Sequence, residues 1–429
     1  MQNEDIHKDL KEKAIFLAEY AATLDAVGAQ TSRTSYNTKR IAKSFGYWCN
    51  MIMLPNSVSI TLHNENREHS YTYVKRTPEL GLNFNVNMKL SHLSWLASDN
   101  NFSLDELWTR FKNIISEPRE SRWTVLFLVS FANAAFCRLF DGNYTSIAIV
   151  WIATFIGFFI RQELLKRHWH ILMVFTICSF VSTMIGSTDY LFFHGGTEDM
   201  SLGTSMLYLV PGVPIINGVM DMIDHHVLNG IARLTKAFML VVCIAVGLTF
   251  TVILLDVNPF TVTKVTYPNV LLAAIKDGLF AIIAGLGFAI ISNPPRKALF
   301  ITALLACVGH GIRYFLMHHE SLMLDQVTAS SIAGLSIGLL AIPAAMKIHY
   351  PAEGFAFPAL LPMVPGMFAY KAIRDLIGIV RSPDTTNDYV NLFFHNATLT
   401  ILVMMGMVAC CVIPIFIFHK QSYSVTRDE

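Results

Sequence analysis

Two aspartates and two interrupted apolar segments carry the chemistry legible in this chain. In LVPGVPIINGVMDMI, residues 209–223, prolines, glycines, an asparagine and an aspartate break a run that is otherwise apolar. Proline removes a backbone donor and clashes with the preceding turn, and glycine allows bends closed to other residues. Across Pro211-Gly212-Val213-Pro214 the helical ladder must therefore open. In a bilayer the freed carbonyls and amides survive only against protein or facing a wet cavity. Pro214 suits the first turn of a restarted half-helix, whose positive end is a seat for a carboxylate. Asn217 and Asp221 are four residues apart and share one face of it.

The segment has a second copy. MVPGMFAYKAIRDLI, residues 363–377, aligns with it without gaps: VPG, eight residues, then Asp, an apolar residue and Ile. Pro365 and Gly366 stand where Pro211 and Gly212 do, and Lys371 and Asp375 replace Asn217 and Asp221. The expectation is a central site near Gly212 and Gly366, with the aspartates on opposite flanks as gating or proton-accepting groups. Lys371 is expected to neutralise Asp375, leaving Asp221 as the titrating member.

Composition places these segments in a membrane. Of 429 residues 53% are hydrophobic and 15% charged, with mean hydropathy +0.46, where soluble domains run to about 25% charged. The net charge of +1 offers no field for a polyanion, so no nucleic-acid partner is expected. The charged start, MQNEDIHKDLKEK, has no apolar h-region and is not read as a cleaved signal. The seven cysteines form no CxxC pair and mostly sit in apolar runs as small hydrophobes. His225-His226 and His318-His319 are neighbours whose side chains diverge on a helix. No metal site and no cofactor are expected.

Residues 1–120 read as a small α+β domain: helical spacing over 10–48 interrupted at Gly28, strand-like MIMLPNSVSITLH and YTYVKR, then helices MKLSHLSWLA and SLDELWTRFKNII. Ser103 precedes Glu106 in capping-box spacing. Spans of about 20 residues are expected near 123–140, 144–160, 169–187, 201–222, 237–255, 269–292, 297–316, 328–346, 356–380 and 389–418. Basic loops 161–168, 230–236 and 293–297 and acidic or neutral loops 187–200 and 317–326 set the orientation. By the positive-inside rule the N-terminal domain and the C-terminal tail are cytoplasmic. The broken segments fall on the fourth and ninth spans, so the repeat unit is five helices and the second unit is inverted, as in many secondary transporters. The predicted fold is thus an α-helical membrane bundle of about ten transmembrane helices, two five-helix inverted repeats (121–256 and 257–429) behind a cytoplasmic α+β domain (1–120). Lys276, Asp277, His310, Arg313, Arg374, Asn133, Asn391, His395 and Asn396 should face the bundle interior, since such groups are costly in lipid.

The VPG-x-P-x-x-N-x-x-x-D segment, the following Asn229-Gly230-Ile231-Ala232-Arg233 and the second VPG copy resemble the threonine/serine exporter family. GAQTSRTSYNTKRIAKSFG, residues 28–46, stands where that family has a small-residue, arginine-containing helix. The likeness covers nearly the whole chain, in the fused form with both membrane halves. Pro211, Gly212, Pro214, Asn217, Asp221, Gly230 and Arg233 match one motif, Pro365 and Gly366 another, and Arg33 the N-terminal one. Gly218 departs from the alanine frequent in the family. The resemblance implies proton-driven export of small hydroxylated amino acids across the cell (inner) membrane, and a split relative is associated with succinate export.

The leading expectation is a secondary transporter exporting threonine, serine or a similar amino acid, with protons and the lipid bilayer as partners and homo-oligomer formation left open. No GxxxxGK[ST] motif supports ATP drive. The first alternative is a dicarboxylate exporter, with Lys371, Arg374 and Arg313 as positive charge. The second is a membrane-tethered enzyme acting through the N-terminal domain, where His63 and His92 lie outside any catalytic pattern.

Overall fold

The computed structural model describes residues 2–256, 269–348, 350–381 and 386–418. The expected start of the second repeat at 257 and the tail 419–429 lie outside the described residues.

The N-terminal domain follows its expected order. Helices α1 (Gln2–Ala26) and α2 (Thr31–Ser44) precede strands β1 (Trp48–Leu54), β2 (Ser57–His63) and β3 (Ser70–Arg76), then α3 (Phe84–Asn100) and α4 (Leu104–Ile115). The strands form an antiparallel meander in the order β1-β2-β3. Alternate side chains of β2, Val58, Ile60 and Leu62, are fully buried beneath Leu10, Leu17, Ala21 and Leu24 of α1, as a period-2 strand against a period-3.6 helix requires. The predicted capping box at Ser103 and Glu106 is present with both bonds. Burial pushes the Cys49 thiol up to about 11, so it stays a neutral core group. Gly28, with φ +93°, turns the chain between α1 and α2, and a Cβ there would lie 2.6 Å from Leu82. That turn is what points the start of α2 at the membrane half.

Behind it stand α5 (Arg122–Leu139), α6 (Tyr144–Lys166), α7 (Ile171–Gly186), α8 (Glu198–Thr204), α9 (Gly212–Ile223), α10 (Val227–Leu255), α11 (Val270–Ile290), α12 (Arg296–His318), α13 (Gln326–Ile348), α14 (Glu353–Leu360), α15 (Gly366–Arg381) and α16 (Thr386–Ile417). Among the described residues seven helices are long and apolar enough to span a bilayer, or up to nine if each bent pair counts as one. The bent pairs are Glu198–Leu209 with Gly212–Ile223, at 64°, and Glu353–Met363 with Gly366–Arg381, at 45°.

Of the ten expected spans, up to nine are accounted for among the described residues. The missing span is α5, whose 18 residues sit near the lower end of spanning length. It carries Arg122, Asn133 and Arg138, which dilute its apolar character.

Close packing follows the small residues. α11 lies between α5 and α12, and α13 lies along α16. A Cβ at Gly287 would meet the Leu128 carbonyl at 2.2 Å, and one at Gly334 the Met407 carbonyl at 2.3 Å. Such approach is the usual way helices associate where lipid removes the hydrophobic drive.

Candidate functional site

The two VPG segments adopt the same local backbone. Each is preceded by a single 3₁₀ turn, Leu207–Leu209 and Leu361–Met363. Each closes on its glycine, Gly212 N–H bonding Val210 O at 2.8 Å and Gly366 N–H bonding Val364 O at 2.7 Å. The helices then restart, with Ile215 N–H to Pro211 O and Ala369 N–H to Pro365 O. Pro214 sits in the first turn of α9, where its missing donor costs nothing.

The breaks also meet reciprocally. The nearest neighbour of a Cβ at Gly212 would be Leu361, and that of one at Gly366 would be Leu207. Leu207 and Leu361 occupy equivalent places in the two copies, so each glycine receives the other copy's leucine.

Asp221 closes a cluster between α9, α10 and the N-terminal domain. Its Oδ1 accepts from Thr31 N–H at 3.1 Å, at the first residue of α2. Gln30 offers no side-chain cap there, so Asp221 supplies the negative group that a helix N-terminus favours. Arg233 Nη1 lies 3.3 Å from Asp221 Oδ2, and its Nη2 reaches Asp25 at 2.9 Å and Ala29 O at 3.0 Å. Asn217 donates to Gly28 O at 3.2 Å, and Asn229 donates to Thr31 Oγ1 at 3.2 Å. A second seam lies beside it, where Phe84 and Asn85 N–H groups bond Ser292 O and Asn293 O.

Asp375 is held in a separate cluster. Arg374 Nη2 donates to its Oδ1 at 2.8 Å and Asn396 Nδ2 to its Oδ2 at 2.7 Å. Arg374 also lies 3.6 Å from Asp199, whose Oδ1 accepts from Tyr370 OH at 2.6 Å. The neutralising cation is thus Arg374. Lys371, expected in that role, sits over the Phe368 ring at 5.8 Å.

Beside Asp221 a narrow cavity opens between the two halves, lined among others by Gln30, Arg33, Asn87, Asn217, Tyr350 and Glu353. Arg33 is buried, with Nη2 donating to Ser91 Oγ at 2.8 Å. Glu353, also buried, opens α14. The free room suits roughly one or two waters.

Of the residues singled out in the sequence, Asn217, Asp221 and Arg233 come together, and Lys371 and Asp375 lie on α15. Gly212 and Gly366 form the contact between the breaks, each directly after its proline, Pro211 or Pro365. Asp25, Thr31, Asp199, Tyr370 and Glu353 were missed. Asp199 and Glu353 stand at equivalent places when the ungapped alignment is carried upstream, so two acids at matched spacing were available as a signal. Asp25 and Thr31 had none, since their role depends on docking.

A family model described as "Putative threonine/serine exporter" matches residues 15–255, and one described as "Threonine/Serine exporter, ThrE" matches residues 277–417. The chain is 29% identical over 225 residues, 51% of its length and 86% of the relative's, to "Probable succinate transporter subunit YjjP" of Escherichia coli. It is 30% identical over 177 residues, 41% and 68% of the two lengths, to a protein of the same description in Klebsiella aerogenes. No solved structure matches.

Proposed function

Because this chain belongs to the threonine/serine exporter family, a family of multi-pass membrane transporters, we propose that it exports small amino acids such as threonine and serine as a proton-coupled secondary transporter. The observation that carries the reading is the reciprocal seating of Gly212 on Leu361 and of Gly366 on Leu207. Two equivalent breaks packed on each other make a centre whose two sides can be opened in turn, the arrangement alternating access needs. On this reading the halves are five-helix inverted repeats, with α5 as the short tenth member, and the N-terminal domain and C-terminal tail are cytoplasmic.

The cavity between the halves supports an amino-acid substrate. Arg33 and Glu353 bring opposite charges to one buried space, with the Asn217 amide beside them. A zwitterion uses both charges, its carboxylate on Arg33 and its ammonium on Glu353, and Asn217 is placed for a side-chain hydroxyl. Arg33 belongs to the N-terminal domain, so that domain acts as a cytoplasmic gate. Asp25, Arg233, Asp221 and Thr31 are its latch, and substrate enters when the turn at 27–31 lifts.

A second reading, dicarboxylate export, draws on the printed description of the two relatives and on Lys371 and Arg374 beside Asp199. Efflux of labelled threonine, serine and succinate from loaded vesicles, with and without a proton uncoupler, separates the two. Uncoupler-sensitive threonine or serine efflux is the expected result. Efflux of succinate alone overturns the amino-acid reading, and efflux indifferent to the uncoupler overturns proton coupling.

A further inference from the structure

The second break is met by a group that can change its charge. Ahead of the first break, at the last residue of α8, the Thr204 carbonyl accepts from Asn133 Nδ2 at 2.9 Å, and a neutral amide has one state. At the second, His310 Nε2 lies 3.1 Å from the Pro362 carbonyl, inside the 3₁₀ turn that precedes Pro365-Gly366. The other ring nitrogen, Nδ1, is hydrogen-bonded to Asp277 of α11. Arg313, one turn along α12, places Nη2 2.9 Å from the same Nε2 and Nη1 3.4 Å from the Met363 carbonyl. The ring is 1% exposed and the Asp277 side chain 9%.

Nε2 therefore faces one acceptor and one donor, and a single proton decides which it can use. A neutral ring holding its proton on Nδ1 donates to Asp277, accepts from Arg313, and leaves the Pro362 carbonyl without this donor. A ring protonated on both nitrogens donates to Asp277 and to Pro362 and can accept nothing from Arg313. The charged groups facing the ring are Asp277 from α11 and Arg313 from its own helix. α14 and its 3₁₀ turn bring backbone carbonyls, and α13 brings Ile337 beside Gly309, its one charged residue being the exposed Lys347. Histidine is the side chain whose ordinary titration crosses the physiological range, and ionisable groups at such depth mark ion pathways.

We infer that His310, held by Asp277, is a proton-binding site whose occupancy pins or frees the second broken helix at Pro362. The inference rests on the transporter reading and supplies its coupling site, on α11 and α12 instead of at Asp221 or Asp375, both of which are already tied to arginines. The protonated ring fixes the 3₁₀ turn, and loss of the proton hands Nε2 to Arg313 and lets the turn move against Gly212.

Two measurements on the full chain test it. Hydrogen exchange of the segment around Leu361–Gly366, corrected for intrinsic rate, is compared at about pH 5.5 and about pH 8, the range in which histidine changes charge. Protection is expected to fall as pH rises in the wild type, and to be equal at the two values in His310→Gln and Asp277→Asn. A wild type with equal protection, or a His310→Gln variant that keeps the difference, overturns the site. In vesicles, both variants should retain substrate exchange but lose gradient-driven accumulation by about tenfold or more, within the usual range of coupling between sites. Undiminished accumulation in His310→Gln overturns it as well. Where a variant fails to fold, Arg313→Lys keeps the charge and removes the planar donor pair; it should shift the pH of the exchange transition, and an unshifted transition overturns the competition at Nε2. A pH-dependent segment in a wild type that shows no gradient-driven transport supports the proton site while refuting proton coupling, so the two failures are distinct.

Discussion

Asp221 ties three segments together through one carboxylate, and its worth lies in what surrounds it. It is 1% exposed, with Thr31 N–H and Arg233 against it. Removing one member of a buried ion pair costs about 3 kcal/mol. Asp221→Asn should therefore loosen docking of the 27–31 turn, read as about a hundredfold faster exchange of the Ala29 to Thr31 amides. Unchanged exchange would show that the seam at Phe84 and Ser292 alone holds the domain. Glu353 carries the prediction about substrate. Glu353→Gln should weaken threonine export about tenfold and improve succinate export, because it removes the ammonium's partner and an anion's repulsion together. Equal loss for both substrates would assign Glu353 a purely structural role.

The bent pairs are the element on which function turns, and packing decides how they may vary. α9 and α10 touch through Gly218 and Gly230. A Cβ at Gly230 would lie 2.7 Å from the Gly218 carbonyl and 3.0 Å from Met222 N, both backbone. One at Gly218 meets chiefly the Leu234 side chain, at 2.8 Å. Backbone cannot give way as a side-chain end can, so Gly230→Ala should cost about 1–3 kcal/mol and Gly218→Ala less. Thermal unfolding in detergent compares them, and a reversed order would contradict the packing described. The bends were legible from Pro211, Pro214 and Pro365, since proline and glycine act through local backbone sterics alone. The failure of α5 to meet spanning composition was also written locally, in Arg122, Asn133 and Arg138, but a length criterion overlooks it.

Across the whole molecule the proposed inversion assigns each loop to one side of the membrane. Cysteines replacing Phe192 and Arg296, both well exposed, in a chain with Cys243, Cys307 and Cys410 changed to serine, report it by labelling with an impermeant maleimide. With the domain inside, Phe192→Cys should label from outside and Arg296→Cys only after permeabilisation; labelling of both from one side would refute the proposed inversion. Docking explains the division between what is local and what is not. Membrane character, the α+β domain, the order of its elements and the paired breaks are determined by the sequence itself, because apolar run length, period and proline chemistry act over a few neighbouring residues. The partners of the charges were decided only by the tertiary structure. Arg233 with Asp25, Asp221 with Thr31, and His310 with Pro362 are separated by dozens to hundreds of positions, and no local pattern encodes a contact made between two independently formed surfaces.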